Sequence, residues 1–413
     1  MRKIAFLCIL YILVSLRVQG AMPLSFPSDD GASVGVCVVR LSDRNVVAQH
    51  DASRLLVPAS VLKCVTAATA QLSLPEEYAF STRLCANGNL SPDGILDGSV
   101  TLVGGWDPTL GSRFFTDREP FADWAIGRLK EWGIKHVSGD VAVGNRTTAP
   151  DALSPYWLLE DLEWEYGAGC YPLNYCDNSY RGKDGRLADS DPGATLCGVL
   201  AARIRGEGIG VDGGDDSLDM EVSGELPTGE CRSGVYRSPC RDDILRVMMH
   251  RSDNLYAEAM LRAPLLHGCD SVDGAQVRCD SALVRQAELW DSIGVDLKCG
   301  RIVDGSGLAP VNRLSARMLA DILCHMGKKK EYVGLFPLAG REGTVKNFLR
   351  RSALDGRLAL KSGSMTGVLC YAGYLLGRDG RATHAVVIMV NGFTCPSLKV
   401  KSAIGHYLLR ILG

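Results

Sequence analysis

Three short motifs in this chain could together perform acyl transfer: Ser60-Val61-Leu62-Lys63, Ser252-Asp253-Asn254 and Lys361-Ser362-Gly363. A serine hydroxyl is a weak nucleophile at neutral pH and needs an adjacent base. Lys63 can be that base if burial and neighbouring cations such as Lys361 keep part of it neutral. Ser252 suits a proton relay, Asn254 an amide that orients a substrate, and Lys361 a cation for a carboxylate. Each motif alone has a plainer reading. The first suits a helix cap followed by a surface lysine, the second a polar turn of an exposed helix, and the third the end of an edge strand. Their occurrence together, on suitable elements, is what points to chemistry.

Those elements can be read from local patterns. Pro58-Ala59-Ser60 opens an Ala-rich helix that runs to about Leu72. Residues i and i+3 share a helix face, so Ser60 and Lys63 are neighbours. Arg241 to Leu265 reads as one long helix carrying the second motif inside it. Arg357–Lys361, Val368–Leu376 and Thr383–Asn391 read as three strands, the last two joined across Gly377-Arg378-Asp379-Gly380. A terminal helix follows, with Val400, Ala403, Ile404, Tyr407, Leu408 and Ile411 on one stripe. At the other end of the chain, Ser33–Leu41 and Val46–His50 flank a turn-rich tetrad and predict a hairpin. Both ends therefore build one antiparallel sheet flanked by helices, an α+β fold.

From about Pro75 the texture changes to short β-like runs broken by Gly, Asp and Pro, with an amphipathic helix near Phe121–Trp132. This predicts an α/β module inserted between the first two motifs. The polar stretch Asn178–Ala194 reads as a loop, and a helical pattern resumes over Thr195–Glu207. The expected division is a signal peptide at 1–20, the inserted domain at 75–194, and the site-bearing domain at 21–74 and 195–413.

Composition narrows the function classes. The chain has 413 residues, 46 % apolar and 22 % charged, as in ordinary globular proteins. Its net charge of -2, with both signs interspersed, gives no basic field for nucleic acid. Arg2 and Lys3, the apolar run Ala5–Leu16 and Val18-Gln19-Gly20 read as an export signal. The alternative is a membrane anchor, for which the run is short and interrupted by Arg17. Cys8 lacks a small residue before it and makes no lipoprotein site, and no later stretch is apolar enough to span a bilayer. An exported location is expected from this signal.

Of 15 cysteines, Cys37, Cys64 and Cys370 lie in apolar runs as small core residues. Cys170 with Cys176, Cys231 with Cys240, and Cys269 with Cys279 are candidate local bridges. With no C-x-x-C, no H-E-x-x-H and seven scattered His, neither a metal nor an organic cofactor is expected. The sequence carries no signal for an oligomeric state. A G-x-S-x-G elbow is absent, which disfavours a Ser-His-Asp hydrolase.

Beyond the three motifs, the chain carries Val103-Gly104-Gly105-Trp106-Asp107-Pro108-Thr109-Leu110, Trp157-Leu158-Leu159-Glu160-Asp161-Leu162, Tyr166-Gly167-Ala168, Asp304-Gly305-Ser306-Gly307-Leu308 and Phe336-Pro337-Leu338-Ala339-Gly340. With the 192 positions between Ser60 and Ser252, these resemble the D-Ala-D-Ala carboxypeptidases and endopeptidases of the penicillin-binding protein 4 type, over nearly the whole mature chain. The resemblance implies a β-lactamase/transpeptidase-like fold, peptidoglycan stem peptides as substrates and β-lactams as covalent ligands. It also implies the bacterial periplasm or cell envelope, where use of the sequon Asn145-Arg146-Thr147 is unexpected. It implies Ser60 as nucleophile, Lys63 as base, Ser252 as proton relay and Asn254 as amide anchor. Lys361 and Ser362 would hold the terminal carboxylate, with Gly363 completing their motif. The N–H groups of Ser60 and Ser364 would form the oxyanion hole, and Asp161 would face the free amine of a diaminopimelate side chain. Read from its own surroundings, Asp161 is equally a helix N-terminal acid. Many relatives carry Thr where Ser362 stands, and many carry a second inserted module for which Asn178–Ala194 leaves little room. Asp304-Gly305-Ser306-Gly307 reads as a tight turn beside the site, Lys328-Lys329-Lys330 as a solvated loop, and Trp157 and Trp164 as core. The competing functions are a β-lactamase or esterase on the same fold and a non-catalytic cell-wall binding protein.

Overall fold

A computed structural model describes residues 31–144, 151–213, 231–267 and 277–413. The export signal, the sequon at Asn145 and the Cys269 half of one candidate bridge lie outside these residues. In chain order, β1 (Ser33–Arg40) and β2 (Val46–His50) are followed by a 3-10 turn, Ala59–Leu62, that runs into α1 (Lys63–Ser73). Then come β3 (Ser81–Leu90), β4 (Ile95–Val103), α2 (Phe121–Glu131), β5 (His136–Val137) and β6 (Val141–Val143). They are followed by β7 (Ser179–Arg181), β8 (Arg186–Ala188), α3 (Pro192–Gly206), β9 (Gly210–Val211) and β10 (Cys231–Arg237). The helices α4 (Arg241–Arg251), α5 (Asn254–His267), α6 (Cys279–Ser292), α7 (Ala316–Met326) and α8 (Lys330–Val333) lead to β11 (Leu358–Met365), β12 (Val368–Leu376), β13 (Ala382–Asn391) and α9 (Ser397–Leu412).

Strand β1, with the sequence SVGVCVVR, is apolar on both faces of its pleat and needs cover on each. It lies inside the five-stranded antiparallel sheet β11-β12-β13-β1-β2, so both chain ends build one sheet as expected. The period of two separates the faces. Val36, Val38, Val386, Ile388, Leu358 and Leu360 join Val400, Ile404, Tyr407 and Leu408 of α9 in one core. Cys37, Val39, Val387, Met389, Cys370 and Ala372 face the other way and join α1, α4, α5 and α7. On β11 this parity turns Lys361 and Gly363 toward the helices and Ser362 away from them.

The second sheet has the order β10-β3-β4-β5-β9, with β6 beside β4. Its β10-β3-β4 half is antiparallel and its short strands pair in parallel, with α2 and α3 covering one face. The inserted α/β module is present, but its sheet and core draw in the chain as far as Arg237, beyond the expected end at residue 194. The return of β10 to β3 is a long-range pairing that leaves no local pattern.

Two further readings change. Asn178–Ala194 contains the small hairpin β7-β8 and the start of α3, capped where the Asp191 carboxylate accepts from Ala194 N at 2.9 Å. Arg241–Leu265 is two helices, because Ser252 takes a left-handed conformation, φ 62°, and ends α4. Cys170, Cys176, Cys231, Cys240 and Cys279 carry no disulfide. Cys170 is turned into the core and Cys176 lies against Tyr175, so that pair does not meet. Nor is Cys231 bridged to Cys240; it neighbours Cys85 across β3 and β10. Among the described residues no helix is long and apolar enough to cross a membrane.

Candidate active site

The turn carrying Ser60 is held in an unusual shape. Ala59, fully buried, has φ +47°, a region costly for any residue with a Cβ. It sets Ser60 at the mouth of α1 with Lys63 one turn further in. Lys63 is completely buried, which excludes the surface-lysine reading. Its Nζ lies 2.6 Å from Asn254 Oδ1, 2.7 Å from the Ser306 carbonyl oxygen and 3.2 Å from Ser60 Oγ. A neutral amine has two N–H groups and one lone pair. The first two contacts are with pure acceptors, so they take both N–H groups and leave the lone pair facing the serine hydroxyl. Burial pulls the Lys63 ammonium down to about 8, against the opposing pull of Asp304, Asp253 and Glu258. Lys63 and Lys361 also repel each other, and that repulsion contributes to the lowering of Lys361.

The second motif sits at the break between α4 and α5. Asp253 Oδ1 accepts from Tyr256 N at 3.1 Å and so caps α5, which places Asn254 as its first residue. The Asn254 amide is held from both sides: its Oδ1 accepts from Lys63, and its Nδ2 donates to the Tyr166 carbonyl at 2.7 Å. Ser252 Oγ accepts from Lys361 Nζ at 2.8 Å. Lys361 is also completely buried, and burial followed by the charge of Lys63 holds its ammonium far below the usual lysine range.

Gly363 explains how the third motif reaches the first. A Cβ there would lie 2.8 Å from both the Pro58 oxygen and Ser60 N, so only glycine lets β11 press against the nucleophile turn. Ser362, half-buried, shares a hydrogen bond of 2.7 Å with Thr344 Oγ1, and Ser364 follows, exposed. All three motifs therefore meet at one place in the fold.

Of the groups that hold Lys63 in place, sequence reasoning anticipated Asn254 and missed the Ser306 carbonyl and its supports. The Asp304-Gly305-Ser306-Gly307 turn does lie beside the site, and it also supplies the Ser306 carbonyl. Glu258 Oε1 accepts from both Gly305 N and Ser306 N at 2.9 Å, and Asp304 accepts from Gly307 N, Ala309 N and Asn312 Nδ2. Trp157, buried as expected, donates its indole N–H to Asp304 Oδ2 at 2.9 Å. Glu258 pairs with Arg262, and both are buried. A backbone acceptor has no residue-type signature, but the two carboxylates around a Gly-Ser-Gly turn were visible. Asp161 makes no contact with the three motifs; its Oδ1 accepts from Tyr166 OH at 3.2 Å, one residue removed from Asn254. The described residues contain no His/Cys/Asp/Glu cluster suited to a metal ion.

Known proteins resemble this chain along most of its length. A D-alanyl-D-alanine carboxypeptidase, DacB, of Haemophilus influenzae is 23% identical over 90% of this chain and 88% of its own length. A D-alanyl-D-alanine carboxypeptidase of an Actinomadura species is 24% identical over 97% of this chain and 86% of its own. The crystal structure of penicillin binding protein 4 from H. influenzae superposes with a TM-score of 0.76 at 19% identity, covering 94% of this chain and 98% of the other. The same protein complexed with a β-lactam gives 0.73. The D-Ala-D-Ala carboxypeptidase 3 (S13) family matches residues 24–186 and 191–407, and the chain belongs to that family of serine peptidases.

Proposed function

We propose that this D-Ala-D-Ala carboxypeptidase removes the terminal D-Ala of peptidoglycan stem peptides through an acyl-enzyme on Ser60. The observation that carries the proposal is the triple contact of the Lys63 amine, which leaves its lone pair facing Ser60 Oγ. Ser60 Oγ attacks the carbonyl carbon of the penultimate D-Ala while its proton passes to Lys63. The N–H groups of Ser60 and Ser364 take the oxyanion, a contribution of about 3 kcal/mol per donor. As the C–N bond breaks, the departing amine takes a proton through Ser252, which Lys361 orients. The second N–H of Asn254 Nδ2 is left for the substrate amide. Lys361 and Ser362 favour a terminal carboxylate, and Asp161 favours a stem whose third side chain carries an amine. Water then attacks the acyl group and frees Ser60.

A β-lactam amide offers Ser60 the same electrophile, so penicillins are expected to acylate it. The working location is the bacterial periplasm or envelope, where peptidoglycan is found. Ser60→Ala should abolish labelling by a fluorescent penicillin and release of D-Ala while the protein still melts cooperatively; labelling that persists removes Ser60 from the role. Weighing the products from purified muropeptides separates carboxypeptidase action, which removes one alanine, from endopeptidase action, which divides dimers. Rapid release of penicilloate would instead favour the β-lactamase reading, and no labelling of the intact chain would favour a binding protein.

A further inference from the structure

Within the third motif, Ser362 alone carries a side-chain hydroxyl. Lys361 is completely buried and directs its ammonium to Ser252 Oγ and the Ser362 carbonyl. Serine has two weaknesses in such a role. It lacks the β-branch that restricts χ1, and its single hydroxyl proton can rotate to any acceptor.

A second hydroxyl stands against it. Thr344 lies in the 3-10 turn Gly343–Val345, with Val345 buried beneath and Thr344 itself exposed. Gly343 has φ +50°, and a Cβ on it would lie 2.7 Å from the His250 oxygen and 2.9 Å from Pro337 Cβ. The turn is thus seated against the end of α4, two residues before Ser252. This seat puts Thr344 Oγ1 2.7 Å from Ser362 Oγ.

We propose that Thr344 is a positioning residue of the carboxylate subsite: it donates its hydroxyl proton to Ser362 Oγ, fixes the Ser362 rotamer and leaves the Ser362 proton for the substrate carboxylate. The proposal rests on the reading of Ser362 as a carboxylate contact. With the opposite polarity, Ser362 would give its proton to Thr344 and present only lone pairs to an anion. A bound carboxylate therefore selects the first polarity, and the two bonds in series strengthen each other. The ligands concerned are those with a free carboxylate beside the scissile amide, stem peptides and β-lactams alike.

The test compares an acyl-D-Ala thioester ending in a free carboxylate with its neutral methyl ester. Thr344→Val should raise KM about 10-fold for the carboxylate form, as expected for one lost hydrogen bond in a charged chain, with kcat changed less than twofold and the ester unaffected. Thr344→Ser keeps the hydroxyl and should behave like the parent. Adding Ser362→Thr to Thr344→Val should recover most of the loss, because β-branching then restricts χ1. Equal losses on both substrates, or an unchanged KM in Thr344→Val, would overturn the proposal. Ser362→Ala serves as the control: if it leaves the carboxylate preference intact, the subsite reading falls and this inference with it. If Ser362→Ala is impaired while Thr344→Val is normal, only the role of Thr344 is lost.

Discussion

The two modules of this protein place their lysines and arginines differently. In the site-bearing body, Lys63, Lys361, Glu258 and Arg262 are withdrawn from water, and the contacts of each are specified. In the inserted module, Arg128–Glu131, Lys130–Glu207 and Arg203–Asp123 are ion pairs whose side chains remain 38–56% exposed. Water already solvates such pairs, so their net worth is about 0–1 kcal/mol. A buried charge gains or loses far more with its partner, and burial also moves its protonation. The insert instead serves the site through uncharged groups at its margin, the Trp157 indole and the Tyr166 carbonyl. Identical residue types thus perform chemistry in one region and solubilise a surface in the other.

The sharpest way to break this contrast is Lys63→Arg. It keeps the charge but cannot act as a base, so acylation by penicillin should fall by about 10² to 10⁴. Near-normal acylation would mean that burial of Lys63 serves structure alone. Glu258→Ala should cost about 3 kcal/mol, because it removes the nearer of the two carboxylates paired with the buried Arg262 and frees the Ser306 turn. Denaturant unfolding measures this, and a loss below 1 kcal/mol would place the body on the same footing as the insert.

Asp161→Asn probes the one insert carboxylate given a role in recognition. It should lower the rate about 10-fold to 100-fold on stems with an amine-bearing third residue, as for a lost charge-assisted contact, and spare a small penicillin. An equal loss on both substrates would make Asp161 structural. The acylation rate should rise about tenfold per pH unit below 8 and level off above it, as Lys63 becomes neutral. The sign for stability follows from the same shift. The folded state binds fewer protons than the unfolded chain between about pH 8 and 10.5, so the Lys63 contribution improves as pH rises through that window and is least favourable below it. A flat rate profile from pH 6 to 9 would contradict the assignment. At the small end, Lys130→Ala should change stability by less than about 1 kcal/mol and leave acylation unaltered.

How much was legible in the sequence depended on how local the cause was. The C-terminal helix stripe, the β12-β13 hairpin and the i, i+3 spacing of Ser60 and Lys63 arise within a few residues, and each was read correctly. The break between α4 and α5 was not, because the apolar pattern runs on through Ser252; the sign of it was Asp253, a good N-cap residue at the position that caps α5. The extent of the insert was missed because β10 finds its partner about 150 residues back in the chain. The Ser306 carbonyl and the Thr344 hydroxyl were missed for another reason. One is backbone and the other a common surface residue, and only the folded turn gives either a direction.

Strand β11 lies at the edge of its sheet, and the segment Pro337–Ala339 covers its outer side only as far as Leu360. From Lys361 onward no described strand pairs with that side. A bare edge is a template on which any extended chain can add, and proteins commonly guard such edges with an inward-pointing charge. Lys361 is an inward-pointing lysine at the first uncovered residue, its amine donating to Ser252 Oγ and the Ser362 carbonyl. It makes the opening inhospitable to a long apolar strand, whose side chains would have to lie beside a buried amine. The residue at the start of the uncovered edge is thus of the type that commonly guards such edges against strand addition.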